Sequence, residues 1–342
     1  MTMALVGIIA NPASGKDIRR LVAQATVVDN QAKVGIIQRA LIGLEAMGVR
    51  RALIMPDTNR LGDQALARFN GRARPRGPLT ASAFQAAILD MPWVGDASDS
   101  LRAARLLRDQ GAACIITLGG DGTVRVVSQG SGDVPLLPIS TGTNNVLPTF
   151  VEGTVAGMAA GALATGQVAI KAVARRHKWL EVRVGERHDR ALVDVALVRG
   201  HFIGARAVWR AGDIRQIVVT RANPAAIGIS GLVGALQPLE PDKPFGLALV
   251  LSKEARSSVW GLIGPGLVVE VGVEAIRPLR IGEELVLHAD EPLILALDGE
   301  REIPLHPGQE AVLCLRDDGP WLVDPQAALL TLAEQGFFRR DL

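Results

Sequence analysis

Up to about residue 150 the chain alternates short apolar runs with longer stretches of helical periodicity. Residues 4–10, 51–55, 84–89, 113–118 and 136–140 are near-continuous apolar runs, the pattern of strands covered on both faces. Residues 34–47, 61–69 and 99–110 instead repeat apolar positions at spacings of three and four, which predicts helices. A strand-helix rhythm of this kind predicts βαβ units and an open, mostly parallel sheet. Ligands of such sheets sit outside the carboxyl ends of the strands. Asp99 stands at the N-cap position of the helix that follows it.

The pattern changes after residue 150. A helix rich in Ala and Gly is expected over 151–163, and then short strands dominate: 179–184, 191–198, 214–220, 247–251, 267–275, 284–288, 293–297 and 311–315. Turn residues, among them Gly185, Asp298, Gly299 and the stretch 317–320, separate several of them. This is an all-β pattern and predicts a sandwich. Residues 325–338 read as a closing helix. The expected division is an α/β domain over 1–150, a β-rich domain over 151–324, and a C-terminal helix over 325–342 that returns to the first domain. Residues 72–78, with three arginines and two prolines, read as a loop with solvated charges.

Composition narrows the function classes. At 342 residues and 48% hydrophobic content the chain can bury two cores. A net charge of +2 gives no basic surface of the kind that nucleic-acid binders show. Cys114 and Cys314 lie in apolar runs, which predicts buried thiols and no disulfide framework. The apolar stretches 225–236 and 257–276 are interrupted by glycines, a proline or acids, so no membrane span is expected. The first ten residues read as a strand and not as a signal peptide. A cytoplasmic enzyme is the expectation. The five histidines show no metal-ligand spacing.

Three loops carry the chemistry. Gly119, Gly120, Asp121, Gly122 and Thr123 follow the strand at 113–118 and precede a helix. Glycines there let the backbone turn sharply and approach a ligand. Successive N–H groups backed by a helix N-terminus form an anion site. Asp121, next to phosphates, makes sense with Mg²⁺ between them or as a proton acceptor. Thr141, Gly142, Thr143, Asn144 and Asn145 form a second loop, rich in donors and acceptors for phosphate, ribose or a base. Asn11, Ser14, Gly15 and Lys16 form a third loop after the first strand. It is not a Walker A loop, because Asp17 follows Lys16 and no glycine precedes at the required spacing.

On these loops the chain resembles the NAD kinase and diacylglycerol kinase superfamily. The sequence from Gly119 to Thr123 matches its GGDGT signature, and the loop at Asn11 and the loop at Thr141 are similar to its two flanking loops. Leu297, Asp298, Gly299 and Glu300 are similar to a segment of the lipid-kinase branch. The closest resemblance is to the AcoX-type, ATP-NAD-kinase-like proteins named for acetoin catabolism. The resemblance implies an NAD kinase-like fold, ATP as cofactor with Mg²⁺ at Asp121, and Asp121 or Glu300 as the catalytic base. It also implies NAD or another small molecule as substrate, and a homo-oligomer, a dimer or tetramer. Asp298 and Gly299 equally suit a hairpin turn, and both roles are compatible.

Two positions depart from NAD kinases. Asn145 stands where those enzymes carry an acid, and their Gly-Ser-Thr-Ala-Tyr segment has only a loose counterpart at Gly228, Ile229, Ser230 and Gly231. Three readings therefore stand together: a kinase of NAD, a kinase of a lipid or polyol, and a nucleotide-binding regulator without turnover. The basic run Lys171, Arg175, Arg176, His177 and Lys178 reads as a solvated face, with contact to an anionic substrate as the alternative.

Overall fold

The computed structural model describes residues 4–14, 28–72, 84–142, 145–199, 211–299 and 301–339. The first part runs β1 (Leu5–Ala10), α1 (Asn30–Ala46), β2 (Arg51–Ile54), α2 (Leu61–Asn70), β3 (Gln85–Ile88), α3 (Ala97–Asp109), β4 (Cys114–Gly119), α4 (Asp121–Ser131), β5 (Leu136–Ser140) and α5 (Gly153–Ala164). The second part contains β6 (Ala174–Arg176), β7 (Trp179–Val184), β8 (Arg187–Ala191), β9 (Asp194–Arg199) and β10 (Ile214–Val219). It continues through α6 (Ile229–Leu236), β11 (Phe245–Leu251), β12 (Ser257–Gly264), β13 (Leu267–Arg280) and β14 (Glu284–His288). It closes with β15 (Leu293–Leu297), β16 (Arg301–Leu305), β17 (Glu310–Arg316), β18 (Trp321–Val323) and α7 (Pro325–Glu334).

Among the described residues the first sheet has the order β3-β2-β1-β4-β5-β18-β6. Its first five strands are parallel. Every residue of β1, β4 and β5 is buried, because helices cover both faces. On one face α1, α2, α5 and α7 share a core with Val6, Ile8, Ile116 and Ile139. On the other, α3 and α4 pack on Leu5, Ile9, Ile115 and Leu136. The order reverses between β1 and β4, so the switch point of the sheet lies at their carboxyl ends.

Helices α1 and α5 meet backbone to backbone. Gly153, Gly157 and Gly161 recur at every fourth position of α5 and face α1. A Cβ at Gly157 would overlap the Ala40 carbonyl, and one at Gly43 would overlap the Thr154 carbonyl. Hydrogen instead of a methyl group at these positions is what lets the two axes come so close.

The second part is an antiparallel sandwich. Its sheets run β12-β13-β11-β10-β9-β15-β16 and β14-β17-β7-β8. Leu180, Val182, Leu197, Leu287, Leu295 and Leu313 from their inner faces form one core. Helix α6 covers the outer side at β10 and β12 with Ile229, Leu232 and Val233. The α/β and all-β architecture expected from the sequence is the one observed.

Helix α5 packs in the first core, and β6 lies in the first sheet. The C-terminal segment re-enters that sheet as β18, parallel to β5 and antiparallel to β6. The strand expected over 191–198 is divided, since Leu192 and Val193 leave the sandwich and enter the core beneath α3 and α4. The apolar stretch at 257–276 is the β12–β13 hairpin. Asp99 is not the N-cap of α3; Asp96 is, accepting from the Ser98 N–H at 2.7 Å. Gly95 at φ 92° turns the chain back, and Asp99 accepts the Val94 and Gly95 N–H groups at 3.0 and 2.6 Å. Arg72 is not solvated, because it pairs with Glu45 and stacks on Phe69.

Candidate functional site

The three loops leave neighbouring strands, β1, β4 and β5, at the switch point. Side chains then fuse them into one surface. Asn11 donates from Nδ2 to Thr123 Oγ1 at 3.1 Å, joining the first loop to the GGDGT turn. Thr141 donates from Oγ1 to Ser14 Oγ at 3.0 Å, joining the second loop to the first. Asp121 joins the GGDGT turn to the second loop: its two carboxylate oxygens accept the N–H groups of Val146 at 2.9 Å and Leu147 at 2.8 Å.

The second loop is braced from within. Asn145 donates from Nδ2 to Ser140 Oγ at 2.7 Å and to the Gly142 carbonyl at 3.1 Å. A Cβ at Gly120 would lie 2.8 Å from Asn145 Oδ1, so a side chain there would displace the Asn145 amide. Gly119 is likewise closed over by the Thr123 side chain. The N–H groups of Thr123 and Val124 already bond to the Gly120 carbonyl as the first turn of α4. Gly15, Lys16, Thr143, Asn144 and Glu300 lie outside the described residues.

Lys33 was not found by sequence reasoning. It is 1% exposed, and its Nζ donates to the carbonyls of Asn11 at 3.0 Å and Ser14 at 2.8 Å, and to Asn30 Oδ1 at 3.3 Å. An ammonium from α1 thus moulds the first loop. The available signal was its spacing: Lys33 and Ile37 are four residues apart, on the buried face of α1.

The β-rich part closes the site. Leu192 and Val193 pack with Val124, Val127 and Leu147. Asp298 holds them in place, accepting from Leu192 N at 3.2 Å and Val193 N at 2.8 Å. Asp298 is left-handed at φ 51° and Gly299 at φ 64°, and Leu297 pairs with Arg301 across the turn. Asp298 therefore makes the hairpin and staples the junction at once. Burial raises its carboxyl above the usual range, while the two N–H groups, Arg301 and Arg125 of α4 oppose that shift.

Cationic residues gather nearby. Arg221 follows β10 and is partly buried, which lowers its basicity; Asp121 and Glu240 oppose that. His177 is fully enclosed and pushed down to about 3 by burial and by Arg221, with Nε2 3.0 Å from the Leu192 carbonyl. Lys178 is pushed down to about 8 by burial, and its Nζ donates to the Lys243 and Phe245 carbonyls at 2.6 Å each. These two do not belong to a solvated face. Lys171, Arg175 and Arg176 are exposed, and Arg176 pairs with Asp133.

A doubly wound sheet with three cross-linked loops at its switch point, capped by a sandwich, defines an NAD kinase-like protein. Residues 6–168 match the family model of the ATP-NAD kinase N-terminal domain, and residues 178–318 match that of the acetoin catabolism protein X C-terminal domain. Acetoin catabolism protein X of Cupriavidus necator is 38% identical over 332 residues, covering 95% of this chain and 91% of that protein. The chain belongs to the acetoin catabolism protein X family of the NAD kinase-like superfamily. The crystal structure of yeast NADH kinase complexed with NADH shares the fold, with a TM-score of 0.53 at 14% identity, over 100% of this chain and 90% of that one. No helix among the described residues is long and apolar enough to cross a membrane.

Proposed function

We propose that this chain binds ATP over the three loops and transfers a phosphoryl group to a hydroxyl of NAD or a close relative. The family supports a kinase-like, nucleotide-binding role. The observation that carries the finer reading is the cross-linking of three donor-rich loops at the switch point, with Asp121 at their centre. Phosphoryl transfer depends on positioning and charge stabilisation more than on covalent chemistry. Rigid loops tied to one another supply positioning.

The donor set bears on the metal. Among the described residues no three His, Cys, Asp or Glu side chains gather. This fits a Mg²⁺ that arrives on nucleotide phosphates and meets the protein through Asp121, directly or through water. Bound there, Mg²⁺ supplies charge neutralisation on the phosphates. The chain's own residues set the direction of the Asp121 carboxylate through Val146 and Leu147, and the shape of the first loop through Lys33.

A second reading has an observation of its own. Both Asp121 oxygens serve the architecture of the second loop, a role that a nucleotide-binding protein without turnover also needs. Two measurements separate the readings. ATP or ADP should raise the thermal midpoint, since a ligand at about 100 times its Kd adds roughly 2.7 kcal/mol. Incubation with ATP, Mg²⁺ and NAD should then yield NADP. A thermal shift without NADP favours the regulator, and no shift at millimolar nucleotide removes both.

A further inference from the structure

We propose that Arg221 is the residue with which the β-rich part grips the phosphates of a ligand seated on the three loops. The inference rests on the nucleotide reading and adds a contact from outside the loops. Its position is fixed by the backbone. Thr220, one residue earlier, bonds to the Val193 carbonyl through its N–H at 2.9 Å and to the Leu192 carbonyl through Oγ1 at 2.7 Å. Leu192 and Val193 are the residues that enter the core beside α4 and Leu147. On the other side, Ala222 and Leu239 exchange backbone hydrogen bonds at 3.1 and 2.8 Å. The Arg221 carbonyl itself accepts from buried Ser230 at 3.1 Å. Arg221 thus projects from a rigid stretch at the seam, within electrostatic reach of Asp121.

Its charge, among the described residues, is incompletely answered. Among the described residues no carboxylate lies within 4.0 Å of its guanidinium, so Asp121 and Glu240 act on it only at longer range. Lys178 adds a second positive charge close by, and its own donors are committed to two carbonyls. A partly buried guanidinium next to another cation is costly without an anion. A phosphate oxygen pair matches its planar fork, and Asp121 of the GGDGT turn is, with Glu240, one of two carboxylates that act on it at longer range. The same contact explains what the β-rich part adds: a nucleotide touching both parts would hold them together.

The test compares Arg221→Gln, which removes the charge, with Arg221→Lys, which keeps it but loses the fork. Calorimetric titrations use ADP, inorganic pyrophosphate and adenosine on the full chain. Losing a charge-assisted hydrogen bond of this kind weakens affinity about 10- to 100-fold. ADP and pyrophosphate should weaken by that factor in Arg221→Gln and less in Arg221→Lys, while adenosine binding stays as in the wild type. Equal ADP and pyrophosphate affinities in wild type and both variants would overturn the role of Arg221 and leave the nucleotide reading intact. A wild type that binds neither ADP nor pyrophosphate would overturn the nucleotide reading and this inference with it.

Discussion

Asp121 and Asn145 both brace the second loop, and each needs the chemistry that the other lacks. Asp121 faces two N–H groups and accepts from both. Asn145 faces a hydroxyl and a carbonyl and donates toward both. An amide at 121 would set its NH₂ against a backbone N–H, and an acid at 145 would set a carboxylate against the Gly142 carbonyl. Asp121→Asn should therefore cost about 1–3 kcal/mol, the penalty for a buried polar group facing the wrong partner, and Asn145→Asp, at a half-buried position, about 1 kcal/mol. Urea unfolding with and without ADP checks this, and unchanged stability in Asn145→Asp would show that the second loop is not braced by its amide. By sequence alone Asn145 reads as a missing acid. The structure gives it a different reason, since it is the brace that lets Gly120 lie against it. The reason was not legible because its partners, Ser140 and Gly142, are ordinary loop residues.

At the scale of elements, the α1–α5 contact links packing to the site. Gly157 lies against the Ala40 carbonyl, and the same α1 carries Lys33 into the first loop. Gly157→Val should push the helices apart. Overpacking of this kind costs about 1–3 kcal/mol, and a rigid backbone neighbour favours the upper end. Because α1 would move, the ADP-induced thermal shift should shrink as well. A variant that loses stability but keeps the full shift would separate the helix contact from the loop. What was legible among elements follows burial. β1, β4 and β5 are apolar at nearly every position because both faces are covered, and the three loops were read from their ends. β6, β8, β12, β16 and β18 were missed. All but β12 are short, and β6, β8 and β16 carry charges on exposed or half-exposed positions, as in Arg187–Ala191 and Arg301–Leu305. Arg221 escaped notice because a single charge after a strand carries no pattern, and only the seam gives it meaning.

At the scale of the molecule, the junction between the two parts sets the response to acid. His177 lies where the chain leaves the first sheet, with its ring on the Leu192 carbonyl and its N–H on the Pro320 carbonyl at 2.8 Å. Folded, it stays neutral down to about 3, whereas its ordinary value is 6.5. Between those values the unfolded chain binds more protons, so stability falls as the pH drops through that window, by up to about 1.4 kcal/mol per pH unit. Wild type should lose stability faster than His177→Gln on going from pH 6.5 to pH 4, as read from urea midpoints; identical slopes would remove His177 as the cause. The return of the chain to its first sheet has a consequence in time. Among the described residues the carboxyl end of β5 is already paired with Thr149, its amino end at Leu136 gains Leu322 of β18, and β6 neighbours β18 alone in that sheet. A ribosome must add about 180 residues between β5 and β18, which at 5–20 residues per second takes roughly ten to forty seconds. Throughout that interval a nascent chain lacks the strand partner of β5 at Leu136, and an unpaired edge is the kind that recruits other chains. Synthesis speed over the sandwich, and any chaperone that shields β5 meanwhile, would then govern how much of this protein reaches a working state.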